Sequence, residues 1–149
     1  MKDLGLFALR LVFGGLIALH GYPTLFGGSG KKVSGDIEKF LGPGFNQFME
    51  NGGVEKHIGF TKQLGVPAPE VLGSLSAGTE FFGGLALIFG WKSRLASALL
   101  LGNMAVAIQK VHAKNGLMNQ GGYEMPLLYA AAFATLFLAG PGKIGLDKS

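Results

Sequence analysis

The sequence predicts an all-α membrane protein with four transmembrane helices in an up-and-down antiparallel bundle. Of its 149 residues, 48% are hydrophobic and 15% charged, and the mean hydropathy is +0.38. Four apolar runs reach the roughly 20 residues that a helix needs to cross a bilayer. A soluble bundle would need a charged outer face on each helix, and none of the runs has one. We therefore treat residues 1–149 as one four-span membrane domain.

The first span is predicted at residues 4–26 and carries Arg10 and His20 within "LRLVFGGLIALHG". A charged Asp3 ahead of the apolar run, with no small-residue cleavage site, favours a retained helix over a signal peptide. Gly14 is one of several small residues in the spans. Paired with Gly84 of the second span, it would let the two backbones touch.

A long surface insert, residues 27–70, follows the first span. Its opening "GGSGKKVSGD" lacks the spacing of a phosphate-binding loop, because Leu25 stands where the first glycine belongs. Apolar residues then recur at nearly helical spacing until "GPG" interrupts them. We expect two short amphipathic helices that lie at the membrane surface or cap the bundle. The apolar positions are Ile37, Phe40, Leu41, Phe48 and Met49.

The other spans are predicted at residues 71–90, 94–112 and 123–140. "LGVPAPE" is a proline-fixed lead-in to the second span, and Trp91 suits an interfacial anchor. Gly140 and the proline after it end the fourth span. Lysine and arginine flank both sides of the spans, so the positive-inside rule does not determine the orientation. Our working orientation puts the N-terminus inside a bacterial-type cytoplasmic membrane.

Three polar residues are expected inside the bundle, and their depths can be counted from the same membrane surface. Arg10 lies roughly 9 Å from the start of its span, Glu80 roughly 15 Å and Asn103 roughly 14 Å from that same surface. We predict a buried Arg10–Glu80 ion pair that Asn103 shares. Such a pair either holds helices in register or serves a function.

A second polar group, His20, His112 and Glu124, is expected at the opposite surface. Two imidazoles and a carboxylate can relay protons or bind a polar ligand. No metal site is predicted, because the spacing matches no metal motif. Asn103 and His112 are nine residues apart, on opposite sides of an ideal helix. They can face one axis only if the third span bends or ends before His112.

The chain has no cysteine, which excludes thiol–disulfide chemistry and cysteine metal sites. A redox role would therefore need a cofactor or a partner protein. The formal charge of +4 is scattered rather than clustered, which argues against nucleic-acid binding. No self-contained catalytic motif is present, so the chain is at most a membrane subunit of an enzyme.

Ordered motifs extend over nearly the whole chain: "LRLVFGGLIALHGYPTLFGG", "TEFFGGLALIFGWKSR" and "GGYEMPLLYAAAFATLFLAGPGKIGLD". In their order and spacing they resemble the DoxX family of small four-helix integral membrane proteins. The resemblance implies a four-helix membrane bundle. It also implies a link to redox systems, since some relatives are membrane subunits of thiosulfate:quinone oxidoreductase and others anchor oxidative-stress complexes.

Three functions remain open at this level. The first is a redox-linked membrane component that binds a quinone, or an oxidoreductase partner, through His20, His112 and Glu124. The second is an oligomeric transporter or permease for a small solute or lipid, with Arg10, Glu80 and Asn103 along its path. The third is a membrane scaffold with no chemistry of its own. Homo-oligomerisation is compatible with each.

Overall fold

The computed structural model describes residues 1–147, and every regular element within that range is helical. Three of its seven helices, α1, α5 and α6, are long and apolar enough to cross a membrane by length and composition. The last helix, α7, is apolar but has 16 residues. This is the all-α membrane class that the composition predicts. The bounds are α1 Lys2–Phe26, α2 Gly35–Leu41, α3 Phe45–Asn51, α4 Val54–Gln63, α5 Pro69–Phe89, α6 Ser93–Asn115 and α7 Glu124–Ala139.

The predicted spans agree with these helices to within three residues at each end. Hydropathy and turn residues account for the agreement, since Pro69 opens α5 and Gly140, at φ 78°, ends α7. Two features were not predicted. Helix α5 contains a π-helical segment at Thr79–Gly83, and α6 contains another at Ala107–His112.

The insert holds three helices, one more than the sequence predicts. The break at residues 42–44 is confirmed, because α2 ends at Leu41 and α3 begins at Phe45. Helix α4 was missed because its inward positions are only weakly apolar. They include a histidine and Thr61, the one buried residue of α4.

The chain divides into two compact units, each described separately below. The first comprises Met1–Ala18 with residues 82–147. A Cβ atom on Gly84 would lie 2.5 Å from the carbonyl oxygen of Gly14, which confirms the predicted glycine contact between α1 and α5. The core of this unit is built from fully buried side chains of three helices: Leu87, Leu100, Phe133 and Leu136.

The second unit, Leu19–Phe81, joins the end of α1, the insert and the first part of α5. Helix α3 is tied to the end of α1, because Gly28 N–H donates to the Met49 carbonyl at 2.7 Å and Gly53 N–H to that of Pro23 at 3.0 Å. Helix α4 runs antiparallel to the start of α5. The two helices come close together at Gly73, where an added Cβ would lie 3.2 Å from Ile58.

Candidate functional site

Helices α1 and α5 touch at Gly21, inside the second unit. A Cβ on Gly21 would collide with the backbone nitrogen of Phe81 and lie 2.8 Å from Cβ of Glu80. Only glycine permits this approach, so the two backbones are in contact here. His20 precedes Gly21, so the backbone that carries it lies close to the backbone that carries Glu80, although these two residues were predicted to belong to different groups.

Three aromatic rings surround this contact. The ring centroids of Tyr22 and Phe26 are 5.0 Å apart, those of Phe26 and Phe81 5.2 Å, and those of Tyr22 and Phe81 5.9 Å. These are favourable separations for tilted and edge-to-face aromatic pairs. Tyr22 lies two residues after His20, and Phe81 directly follows Glu80. On each of the two helices, the residues of the aromatic cluster are thus close in sequence to one of the ionisable residues.

His57 of α4 is a further polar neighbour, which was not predicted from the sequence. Its Nε2 lies 3.4 Å from Oγ of Ser76, and its backbone carbonyl accepts a hydrogen bond from Thr61 at 2.8 Å. Burial lowers the pKa of His57 below the ordinary histidine value. Ser76 and Glu80 are four residues apart on α5 and share a helix face. We call His20, His57, Ser76 and Glu80 the polar site.

The polar site coincides with a change in helix geometry, because Glu80 is the second residue of the π segment Thr79–Gly83. A π turn inserts one extra residue into a helix and is often found at functional sites. Glu80 is half-buried, whereas His20 is exposed. Ionisable residues within two apolar spans are functional candidates, since such groups are costly in lipid.

Arg10, in the first unit, is held by the chain segment that follows α7. It is 1% exposed, its Nη1 donates to the Pro141 carbonyl at 2.6 Å, and its Nη2 donates to the Ile88 carbonyl at 3.4 Å. Its guanidinium carbon lies 5.5 Å from the centroid of the Phe7 ring. Glu80 belongs to the other unit, so the predicted Arg10–Glu80 ion pair stays a prediction.

Asp147 completes this tail contact. Its two carboxylate oxygens accept hydrogen bonds from the backbone N–H groups of Lys92 and Ser93, both at 2.9 Å, at the start of α6. Partial burial raises the pKa of Asp147, but the backbone hydrogen bonds from Ser93 and Lys92 and the charge of Arg10 outweigh it. The pKa therefore lies below its usual value. The tail segment, residues 140–147, thus joins α1, α5 and α6.

The other predicted site residues also lie in the first unit. His112 ends the π segment of α6, and its Nδ1 is 2.7 Å from the carbonyl of Gly121, so Nδ1 carries the proton and Nε2 can accept one. Glu124 is the exposed first residue of α7, and Asn103 is half-buried on α6. Because His20 belongs to the second unit, the predicted group of His20, His112 and Glu124 remains untested.

Metal ligands do not cluster in the described part of the chain. Among residues 1–147, no three His, Asp or Glu side chains are arranged so that they could hold a metal ion.

Comparison with known families decides the classification. The family model for DoxX matches residues 5–113. This chain belongs to the DoxX family. The match includes the whole polar site and Arg10, and it ends before Glu124 and the tail segment. The family and the apolar helices together identify an integral membrane protein.

An individual relative supports this assignment. A Haemophilus influenzae protein described as an uncharacterized protein is 31% identical over 112 residues, which cover 74% of this DoxX-family chain and 70% of the relative. No solved structure matches the chain. These likenesses establish the family without naming a substrate.

Proposed function

We propose that this DoxX-family protein is a membrane component of a redox-linked system and binds a quinone head group at the polar site. The observation that carries the proposal is the backbone contact at Gly21, because the two helix segments that meet there carry His20, Glu80 and the aromatic cluster. A quinone ring needs an apolar, aromatic slot, and its two carbonyl oxygens need hydrogen-bond donors.

The chemistry is divided between this chain and a partner. Reduction of a quinone takes two electrons and two protons and yields a quinol. Glu80 and His20 are suited to hold and deliver the protons at the carbonyl oxygens. The chain has no cysteine to supply electrons by thiol oxidation, so we assign electron delivery to an oxidoreductase partner. His112 and Glu124 are a second pair for proton exchange, on helices α6 and α7.

The proposal includes the four-span architecture. Helix α7 has 16 residues, roughly 24 Å at 1.5 Å per residue, against roughly 30 Å of hydrocarbon. Tyr123 before it suits the membrane interface. We propose that α7 is the fourth span of an antiparallel bundle in a bacterial cytoplasmic membrane, with the N-terminus inside.

The transporter alternative has weaker support. It requires Arg10 to line a path, but the Arg10 side chain is almost fully buried and donates to two backbone carbonyls. A guanidinium held in this way stabilises helix packing and is poorly placed to contact a moving solute.

Quinone binding can be tested on purified protein in mild detergent. Lipid extraction and chromatography should recover a quinone, and adding a short-chain quinone should raise the melting temperature. Glu80→Gln should remove this rise. The matched control is Glu70→Gln, because Glu70 is an exposed carboxylate in the first turn of the same helix. Absence of any quinone, together with an unchanged melting temperature, would exclude the proposal and favour the scaffold alternative.

A further inference from the structure

Helix α2 has an apolar face that its own unit leaves largely uncovered. Ile37, Phe40 and Leu41 fall within about 100° of the helix circumference, with Asp36 and Glu38 at the edges of this face and Lys39 opposite it. No residue of α2 is buried, and Phe40 is 87% and Ile37 48% exposed. A helix of seven residues is marginal in water by itself. A second surface is needed to cover this face.

The position of α2 is set by the end of α1. Helix α3 follows α2 after three residues and packs inward through Met49, which is 4% exposed. The Met49 carbonyl accepts the N–H of Gly28, two residues beyond the end of α1. Before α2, Val33 N–H donates to Asn46 of α3 at 2.8 Å. Both approaches to α2 are therefore fixed beside the end of α1.

Because α1 is long and apolar enough to span the membrane, its end lies at the bilayer surface. We propose that α2 is an interfacial helix that inserts Phe40 and Ile37 into the lipid at the leaflet where α1 ends. An amphipathic helix in this position places its apolar face about 5–10 Å into the boundary between headgroups and acyl chains. Helices α2 and α3 of the insert thereby have different roles, because α3 packs on protein and α2 on lipid.

Both signs of charge occur around α2: the helix itself carries Asp36 and Glu38, and lysines on or before it can contact lipid phosphates. Lys31 and Lys32 precede α2 in the chain and Lys39 lies on its polar face, and all three are exposed. Lys32 is 3.4 Å from Glu50, which leaves Lys31 and Lys39 to reach the phosphates. Long lysine side chains can keep their apolar stems in lipid while the ammonium group stays at the headgroups.

A tryptophan reporter tests the insertion. The full chain, with its single tryptophan removed by Trp91→Phe, is reconstituted in vesicles of phosphatidylcholine and phosphatidylglycerol. Phe40→Trp reports on the apolar face, and Lys39→Trp is the matched control on the polar face of the same helix. Ile37→Trp is a second reporter in case one variant folds poorly. Tryptophan fluorescence is measured with two quenchers in turn: lipids brominated on the acyl chain, which quench from within the bilayer, and iodide, which quenches from the water.

The Phe40→Trp emission should shift to shorter wavelength and be quenched by brominated lipid more than by iodide, with the reverse for Lys39→Trp. Iodide quenching of both positions alike, without quenching by bromine, would show that α2 faces water and would overturn the proposal. A blue-shifted Phe40→Trp that neither quencher reaches would also overturn it, because a protein surface would then cover the face. Neither readout depends on quinone binding.

Discussion

The carboxylate of Asp147 should stabilise the fold by capping α6 from a distant part of the chain. The first N–H groups of a helix have no partner within the helix, and here Asp147 accepts two, from Lys92 and Ser93, at 2.9 Å each. Removing an N-terminal cap costs about 0.5–2 kcal/mol. Because two charge-assisted bonds are lost together, we expect Asp147→Ala to lower the free energy of unfolding by about 1–2 kcal/mol.

The effect should depend on pH in a defined direction. The pKa of Asp147 is lower in the folded protein than its ordinary value of 3.8, so the folded state binds the proton less tightly than the unfolded state. The stabilisation is therefore fully present above the unfolded pKa and is lost as pH falls through the folded pKa. Between pH 5 and 8 the free energies of unfolding of Asp147→Ala and the parent should differ by a roughly constant amount. Below about pH 4 this difference should shrink.

Thermal unfolding in detergent micelles can measure this difference. Trp91 is the single tryptophan of the chain and adjoins the capped helix start, so its fluorescence reports on this region directly. Asp36→Ala is the control, because Asp36 is an exposed carboxylate in the first turn of α2 and the charge change is the same. Equal melting temperatures for Asp147→Ala and the parent at neutral pH would refute the capping argument. So would a difference that is undiminished at pH 3.

Three further changes follow from the described contacts. Gly84→Ala should lower the free energy of unfolding by about 1–3 kcal/mol, because the added Cβ would collide with Gly14. Gly15→Ala is the control, because its Cβ would meet nothing within 4 Å, and thermal melts compare the two variants. Arg10→Lys should lower the melting temperature by loss of about 1–3 kcal/mol, since an ammonium group cannot reproduce both guanidinium bonds, and an unchanged melt would contradict this. The melting temperature should fall as pH drops below about 6.5, because the folded state lowers the pKa of His57, and His57→Gln should weaken that fall. An identical pH profile for this variant would count against the burial of His57.

Hydropathy was sufficient to locate the apolar helices, because a candidate membrane helix is defined by its length and apolar content. The predicted first span, residues 4–26, differs from α1 by two residues at its start. Contacts that depend on backbone geometry were beyond the same reasoning. The Arg10–Glu80 pair predicted from charge stays a prediction, but the hydrogen bonds of Arg10 to the carbonyls of Pro141 and Ile88 were not predicted. Backbone acceptors leave no residue-type signal.

Helix α4 shows a second limit. His57 was overlooked because its helix has few strongly apolar residues, although positions 54, 57, 58 and 61 follow the spacing of one helix face. That spacing was the available signal. Its significance depends on α5, since His57 meets Ser76 only through the antiparallel packing of the two helices. A pairwise tertiary contact of this kind cannot be obtained from one segment's pattern.

The π segment of α6 resolves a conflict in the predicted bundle. On an ideal helix, Asn103 and His112 are about 180° apart, so a single axis could not receive both. The segment Ala107–His112 lies between them and adds one residue to a turn. The nine-residue separation then behaves as eight, which reduces the angle to about 80°. Asn103 and His112 can therefore lie on the same side of α6, so the π turn removes the geometric objection to one axis for both residues.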